Sequence, residues 1–194
     1  NFPEDSGLST LRSDEMTLSK DATSSEDYDS YFDIWAWNDL KQQSTTVSFG
    51  WRRYYHAIYI ANYIIEHQTN ITEATSDEIN QLVGEAYMMR AYCHFLLANL
   101  YAEPYTHCNP ATTRGIPLSM VADVNAVLSC NSLEQVYQQV IDDINNAKKY
   151  LTVDTWDEGF TYRFNKISAD ALLARVYLYK GDWQNALAEA KTVI

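Results

Sequence analysis

The sequence predicts an all-α protein of antiparallel helix pairs joined by long irregular loops. Three observations lead there. Apolar residues recur at three- and four-residue steps over most of residues 49–194. No stretch of useful length alternates apolar with polar residues as a half-buried strand would. The periodic segments are bounded by capping residues, a glycine or prolines, and the order is helix, connection, helix, repeated.

Residues 1–48 are polar, rich in Ser, Thr and Asp, and poorly periodic. They read as a mostly irregular segment packed on a helical domain spanning 49–194, with a short helix at Glu26–Phe32. Aromatics crowd this segment: Tyr28, Tyr31, Phe32, Trp35 and Trp37. Rings this dense in a loop-like stretch either dock on the domain or serve a ligand. The first long helix runs from Phe49 to His67, with Trp51, Tyr54, Ile58, Ala61 and Ile65 in register. The second follows Ser76, whose hydroxyl is placed to cap it, and Asp77 and Glu78 suit the positive end of its dipole. Its stripe is Ile79, Leu82/Val83, Ala86, Met89, Cys93, Leu96/Leu97 and Leu100, and Pro104 follows its end. Such a helix would be about 39 Å long.

Residues 103–131 hold Pro104, Pro110, Gly115 and Pro117. A connection of this length is expected to be packed or functional, because structureless loops of this size are uncommon in compact domains. Asn131 or Ser132 starts the third helix, with Val136, Val140, Ile144, Ala147 and Leu151 facing inward. Residues 152–164 form another loop, with Trp156, Phe160 and Tyr162. Asn165 caps a fourth helix reaching Tyr179, Gly181 breaks it, and a fifth begins near Asp182 or Trp183. Residues 171–194 fit a tetratricopeptide pattern. Ala174 and Tyr177 fall on its first helix, Gly181 at the turn, and Ala186 and Ala190 where two helices cross closely. One such repeat cannot bury its own apolar face. The last residues, Lys191–Ile194, lie inside a periodic segment without a stop signal, so the chain is expected to be a piece of a longer protein.

Composition removes several functions. The formal net charge of −12 opposes nucleic-acid binding, which needs a surplus of Lys and Arg, and opposes electrostatic attraction to an anionic membrane. No run of 18 apolar residues is present. Three cysteines, Cys93, Cys108 and Cys130, cannot form a fully paired framework. Cys93 reads as a small buried hydrophobe, and Cys108 and Cys130 flank a loop across which they could pair in an oxidising compartment. There is no CxxC or HExxH motif, no nucleophile elbow, and no P-loop or dinucleotide fingerprint, so no metal, cofactor or catalytic residue is expected. His56, His67, His94 and His107 lack a positioned carboxylate partner. Asp142 and Asp143 are adjacent on a helix, face different directions, and cannot by themselves form a glycosidase dyad.

An ordered set of motifs then points to a family. Met89-Arg90-Ala91-Tyr92, continuing to Leu100-Tyr101, is followed by Arg114-Gly115-Ile116-Pro117-Leu118. Next come Ser132, Val136-Tyr137, Ile141-Asp142-Asp143-Ile144 and Ala147. Last are Lys166 with Ala169, Ala171 through Tyr179, and Gly181-Asp182-Trp183 with Ala186 and Ala190. Upstream stand Ser13-Asp14-Glu15 and the Trp51–Asn62 pattern. From residue 13 to residue 194 the chain resembles the SusD/RagB family of Bacteroidetes outer-membrane lipoproteins. It departs at Ala102, where the family usually has Gly; a turn that wanted φ > 0 there would cost Ala something.

The resemblance implies a non-catalytic protein on the extracellular face of the outer membrane. It would be anchored by a lipid on an N-terminal cysteine absent from this segment. It would bind nutrient glycans, or in some relatives peptides, as the lid of a SusC-like TonB-dependent transporter. It also implies that the segment after Ser13-Asp14-Glu15 helps line the ligand surface, making Tyr28, Tyr31, Trp35 and Trp37 the candidate ligand-binding residues. Aromatic planes stack on sugar CH faces, while Asn, Asp, Gln and Arg pair with hydroxyl edges. The competing functional class is a tetratricopeptide adaptor that binds peptides in a concave groove, which would call for more regular repeats than the 103–131 and 152–164 insertions permit.

Overall fold

The computed structural model describes residues 10–14, 17, 19, 26–38 and 50–194. Six helices lie among them: α1 (Glu26–Trp35), α2 (Trp51–His67), α3 (Ser76–Tyr101), α4 (Leu133–Tyr150), α5 (Lys166–Lys180) and α6 (Trp183–Val193). Two short strands, β1 (Arg114–Pro117) and β2 (Cys130–Ser132), pair antiparallel within the long α3–α4 connection. The all-α prediction of paired helices with long loops therefore holds, with one small hairpin added. Asn1–Asp5, Glu15 of the Ser13-Asp14-Glu15 motif, and Phe49, the expected start of the first long helix, lie outside the described residues. The chain divides into two units, residues 1–53 and residues 54–194.

In the larger unit, α3 packs along α4, α4 along α5, and α5 along α6. Only Gly181 and Asp182 separate α5 from α6, so that pair is antiparallel. Helices α3 to α6 each start on a side chain that accepts an orphan backbone N–H. For α3 that residue is Thr75, not the expected Ser76. Thr75 Oγ1 accepts from Glu78 N, and Glu78 reaches back to Thr75 N at 2.8 Å, closing a capping box. Ser76 is one residue too late, because the hydroxyl must sit three residues before the N–H it satisfies. Ser132 and Asn165 close similar boxes on α4 and α5, and Asp182 caps α6. Gly181 ends α5 with φ 78°, the left-handed conformation that a Cβ penalises. Ala102 ends α3 at φ −118°, in extended backbone that any residue adopts, so the departure from Gly there carries no strain.

The core gathers Ile58 of α2, Met88, Cys93 and Leu97 of α3, Ile116 of β1, Val136, Val140 and Ile144 of α4, and Leu173 and Val176 of α5. Gly84 lets α3 approach the end of α4: a Cβ there would stand 2.8 Å from Leu151 Cγ and 2.9 Å from its backbone nitrogen. The long connection is packed. Tyr55 donates to Pro117 O at 2.7 Å, and Asn62 Nδ2 donates to Ser119 O and Val121 O, both at 3.1 Å. Ala122 N donates to Glu66 Oε1 at 2.9 Å.

Among the described residues, one charged network joins three helices in the interior. Arg90 of α3 forks onto Asp143 of α4, Nε to Oδ2 at 2.8 Å and Nη2 to Oδ1 at 2.6 Å. Its Nη1 donates to Asn62 Oδ1 of α2 at 2.9 Å. Three helices thus meet on one guanidinium, whose flat fork fits a carboxylate bidentately. Burial raises the Asp143 carboxyl above its usual range, and the Arg90 bonds pull it back.

Candidate functional site

The four aromatics singled out from the sequence lie on α1 and the turn after it. The expected helix at Glu26–Phe32 continues to Trp35. Tyr28, Phe32 and Trp35 follow helical spacing and share a face. Tyr28 stacks on Phe32 at 4.9 Å, and Phe32 meets Trp35 at 5.9 Å. Tyr28 and Trp35 are half-buried in this row, while Tyr31 on its flank is exposed. Phe32 is thus the ring that joins two of the candidates.

Trp37 differs. Asn38 N donates to Asp33 O at 2.9 Å and Trp37 N to Ile34 O at 3.3 Å, the paired bonds of a Schellman ending. The same pairing closes α5, where Asp182 N and Gly181 N donate to Tyr177 O and Leu178 O. There the left-handed position is Gly181. In α1 it is a tryptophan, at φ 56°, the one non-glycine with positive φ among the described residues. A Cβ in that conformation costs about 1–2 kcal/mol. The residue is 64% exposed, so most of the ring stays open to solvent while its buried third and the Arg12 contact help to offset that cost. The Arg12 guanidinium lies 4.8 Å from the Trp37 ring, and Arg12 Nε donates to Ile34 O at 3.1 Å, a cation at the negative end of α1. Asn38 Nδ2 donates to Asp33 Oδ1 at 3.0 Å and braces the turn.

A second group of rings lies in the larger unit, on the loop between α4 and α5. Trp156, Phe160 and Tyr162 follow one another at 6.3 and 6.5 Å. Arg163 covers Trp156 at 4.1 Å and forks onto Glu85 of α3, at 3.2 and 2.7 Å. A hollow of about 310 Å³ opens between Glu85, Met89, Tyr162, Arg163 and Phe164. The sequence marks the three aromatics as loop residues. The Arg163–Glu85 contact beside them, across 78 positions, has no local signal.

The titratable groups inside the fold are structural. His94 is buried, its Nε2 accepts from Ser119 N at 3.4 Å, and burial followed by the Arg90 charge depresses its pKa to about 3. Burial pushes the Cys93 thiol up to about 12, and all three cysteines are free. His67 stacks on Tyr63 at 4.1 Å. Asp143 is buried on Arg90 while its neighbour Asp142 is exposed, so the two face apart as their spacing implies. Among the described residues no group of three or more His, Cys, Asp or Glu is placed to hold a metal ion, and no helix is long and apolar enough to cross a membrane. The arrangement can stack rings on flat faces and pair polar edges, the chemistry of a binding scaffold.

Residues 5–178 match the SusD-like family described as starch-binding and associating with the outer membrane. The chain belongs to this family. It is 29% identical over 153 residues to SusD-like protein P38 of Formosa agariphila, covering 77% of this chain and 26% of that protein. A SusD superfamily protein from Bacteroides thetaiotaomicron superposes with a TM-score of 0.74 at 27% identity, over 92% of this chain and 37% of that one. A structure solved with xylogluco-oligosaccharide superposes with a TM-score of 0.56 at 26% identity, over 74% of this chain and 28% of that one. The chain thus spans about a quarter of the length of the curated relatives it matches.

Proposed function

We propose that this chain is the helical scaffold, and part of the ligand surface, of a cell-surface protein that captures nutrient glycans without transforming them. In this reading the whole protein is lipid-anchored at the outer membrane and passes its ligand to a SusC-like TonB-dependent transporter. The family's starch-binding description and the relative solved with xylogluco-oligosaccharide support a glycan ligand. The observation that carries the reading within this chain is Trp37. Its ring is mostly exposed, its backbone is held in the left-handed region, and Arg12 braces it. Strain kept at an exposed aromatic is reasonable where the ring meets a ligand. Tyr31 and the Tyr28–Phe32–Trp35 row lie along α1, the helix that ends at this turn.

Affinity electrophoresis in gels containing neutral polysaccharides tests this. The chain should be retarded by at least one of them. Trp37→Ala should lose most of that retardation, while Tyr31→Ala, Tyr28→Ala and Trp35→Ala each lose less. Unchanged retention by folded Trp37→Ala removes that residue from the site. Co-purification of the full-length protein with an outer-membrane barrel tests the transporter partner.

A further inference from the structure

We propose that the α4–α5 loop carries a second carbohydrate-stacking subsite, built from Trp156, Phe160, Tyr162 and the Glu85–Arg163 pair, that takes a neutral oligosaccharide. The inference rests on the reading of this chain as a glycan binder.

The loop is held at both ends. Gln81 Oε1 accepts from Thr152 N at 2.9 Å and Val153 N at 3.0 Å, while Gln81 Nε2 donates to Phe164 O at 3.0 Å. A single amide thus ties the entry of the loop to its exit. Lys166 N donates to Val153 O at 3.1 Å, and Trp156 Nε1 donates to Phe164 O at 2.9 Å. Arg163 is locked between Glu85 and the Trp156 ring. A loop this well tied is able to fold its aromatics inward, yet it leaves Phe160 49% and Tyr162 79% exposed. Their rings are tilted by 37°, and Phe160 is tilted by 42° to Trp156, so the three follow one another as a row of tilted rings. Preformed rings of this kind lose little conformational freedom when a flat ligand stacks on them.

The polar rim indicates the ligand's charge. Arg163 is already paired with Glu85, so the pair adds no net charge to the hollow. A sulfated or uronic-acid glycan would find no uncommitted cation among these residues. A neutral sugar suits them: CH faces lie on the rings, and hydroxyls reach the Glu85 oxygens as donors and the Arg163 N–H groups as acceptors. The hollow of about 310 Å³ lies at the small end of ligand pockets and admits a monosaccharide-sized group, with the ring row continuing beyond it.

The test compares four full chains: the parent, Trp37→Ala, Phe160→Ala/Tyr162→Ala, and all three substitutions together. Retention is measured on a neutral xylogluco-oligosaccharide or starch-type polysaccharide and on a sulfated one, with circular dichroism confirming the fold. Because Phe160 and Tyr162 are exposed, Tyr162→Ser alone serves as the milder variant. The expected result is that removing the loop rings weakens neutral-glycan retention by about fivefold or more, and that the triple variant loses what Trp37→Ala retains. Full retention in Phe160→Ala/Tyr162→Ala, with loss in Trp37→Ala, overturns the subsite and leaves the glycan-binding reading standing. A parent chain that retains no glycan overturns both. Loss of a protein partner with unchanged glycan retention makes the loop a protein contact and also overturns the subsite.

Discussion

Replacing Arg90 by methionine keeps much of the side chain's volume and removes its charge. Asp143, whose side chain is fully buried, then keeps the Gln139 amide as a donor at 3.1 Å. Breaking one half of a buried ion pair costs about 3–5 kcal/mol, because the remaining charge keeps its desolvation penalty without its partner. Set against a typical domain stability of about 5–15 kcal/mol, that is a large fraction. Asp143→Leu should be similarly harmful, since it strands the guanidinium. The double variant Arg90→Met/Asp143→Leu removes both charges and leaves chiefly Asn62 Oδ1 short of its donor, a loss of about 1–3 kcal/mol. The losses should therefore be strongly non-additive, with the double variant more stable than either single one. Urea unfolding followed by far-ultraviolet circular dichroism measures all four chains. Lowering the pH should narrow the deficit of Arg90→Met, because protonating Asp143 removes the stranded charge. An Arg90→Met loss below about 1 kcal/mol, or single losses that simply add in the double variant, would refute the reasoning.

Three further outcomes are expected. Because burial depresses His94, the unfolded chain takes up a proton below about pH 6.5 that the folded chain refuses, so this group lowers stability as the pH falls from about 6.5 toward 3. His94→Gln should lose that share of the slope, and identical pH profiles for the two chains would exclude it. Gly84→Ala gains helix propensity but drives a Cβ into Leu151 and its backbone, so a net loss of about 1 kcal/mol or more is expected in urea; a raised midpoint contradicts the close approach. Trp37→Gly relieves the left-handed strain, which offsets the loss of the ring's buried third and its Arg12 contact, so stability should stay within about 1 kcal/mol while glycan retention drops. A stability loss beyond about 2 kcal/mol would make Trp37 a packing residue instead.

The helices of the larger unit are legible in the sequence because their determinants are local. Apolar spacing, a hydroxyl or amide three residues ahead of an N–H, and Gly181 at a left-handed turn all act within one or two helical turns. Ser132, Asn165 and Asp182 act as caps for that reason, and the shift from Ser76 to Thr75 is a one-residue difference within the same rule. The short β1–β2 hairpin was not legible: its strands span four and three residues, too few for alternation to emerge. Family membership was also readable, since it rests on ordered local motifs. Pairings between distant residues were decided by tertiary structure alone. Arg90 meets Asp143 from 53 positions away and Arg163 meets Glu85 from 78, and no periodicity encodes which charged side chain a helix turns inward to a partner. The sequence likewise names the aromatics without separating them. The fold half-buries Tyr28 and Trp35, holds Trp37 in a strained exposed turn, and leaves Phe160 and Tyr162 facing water. Exposure depends on what packs against a ring, and that is settled only when distant segments meet.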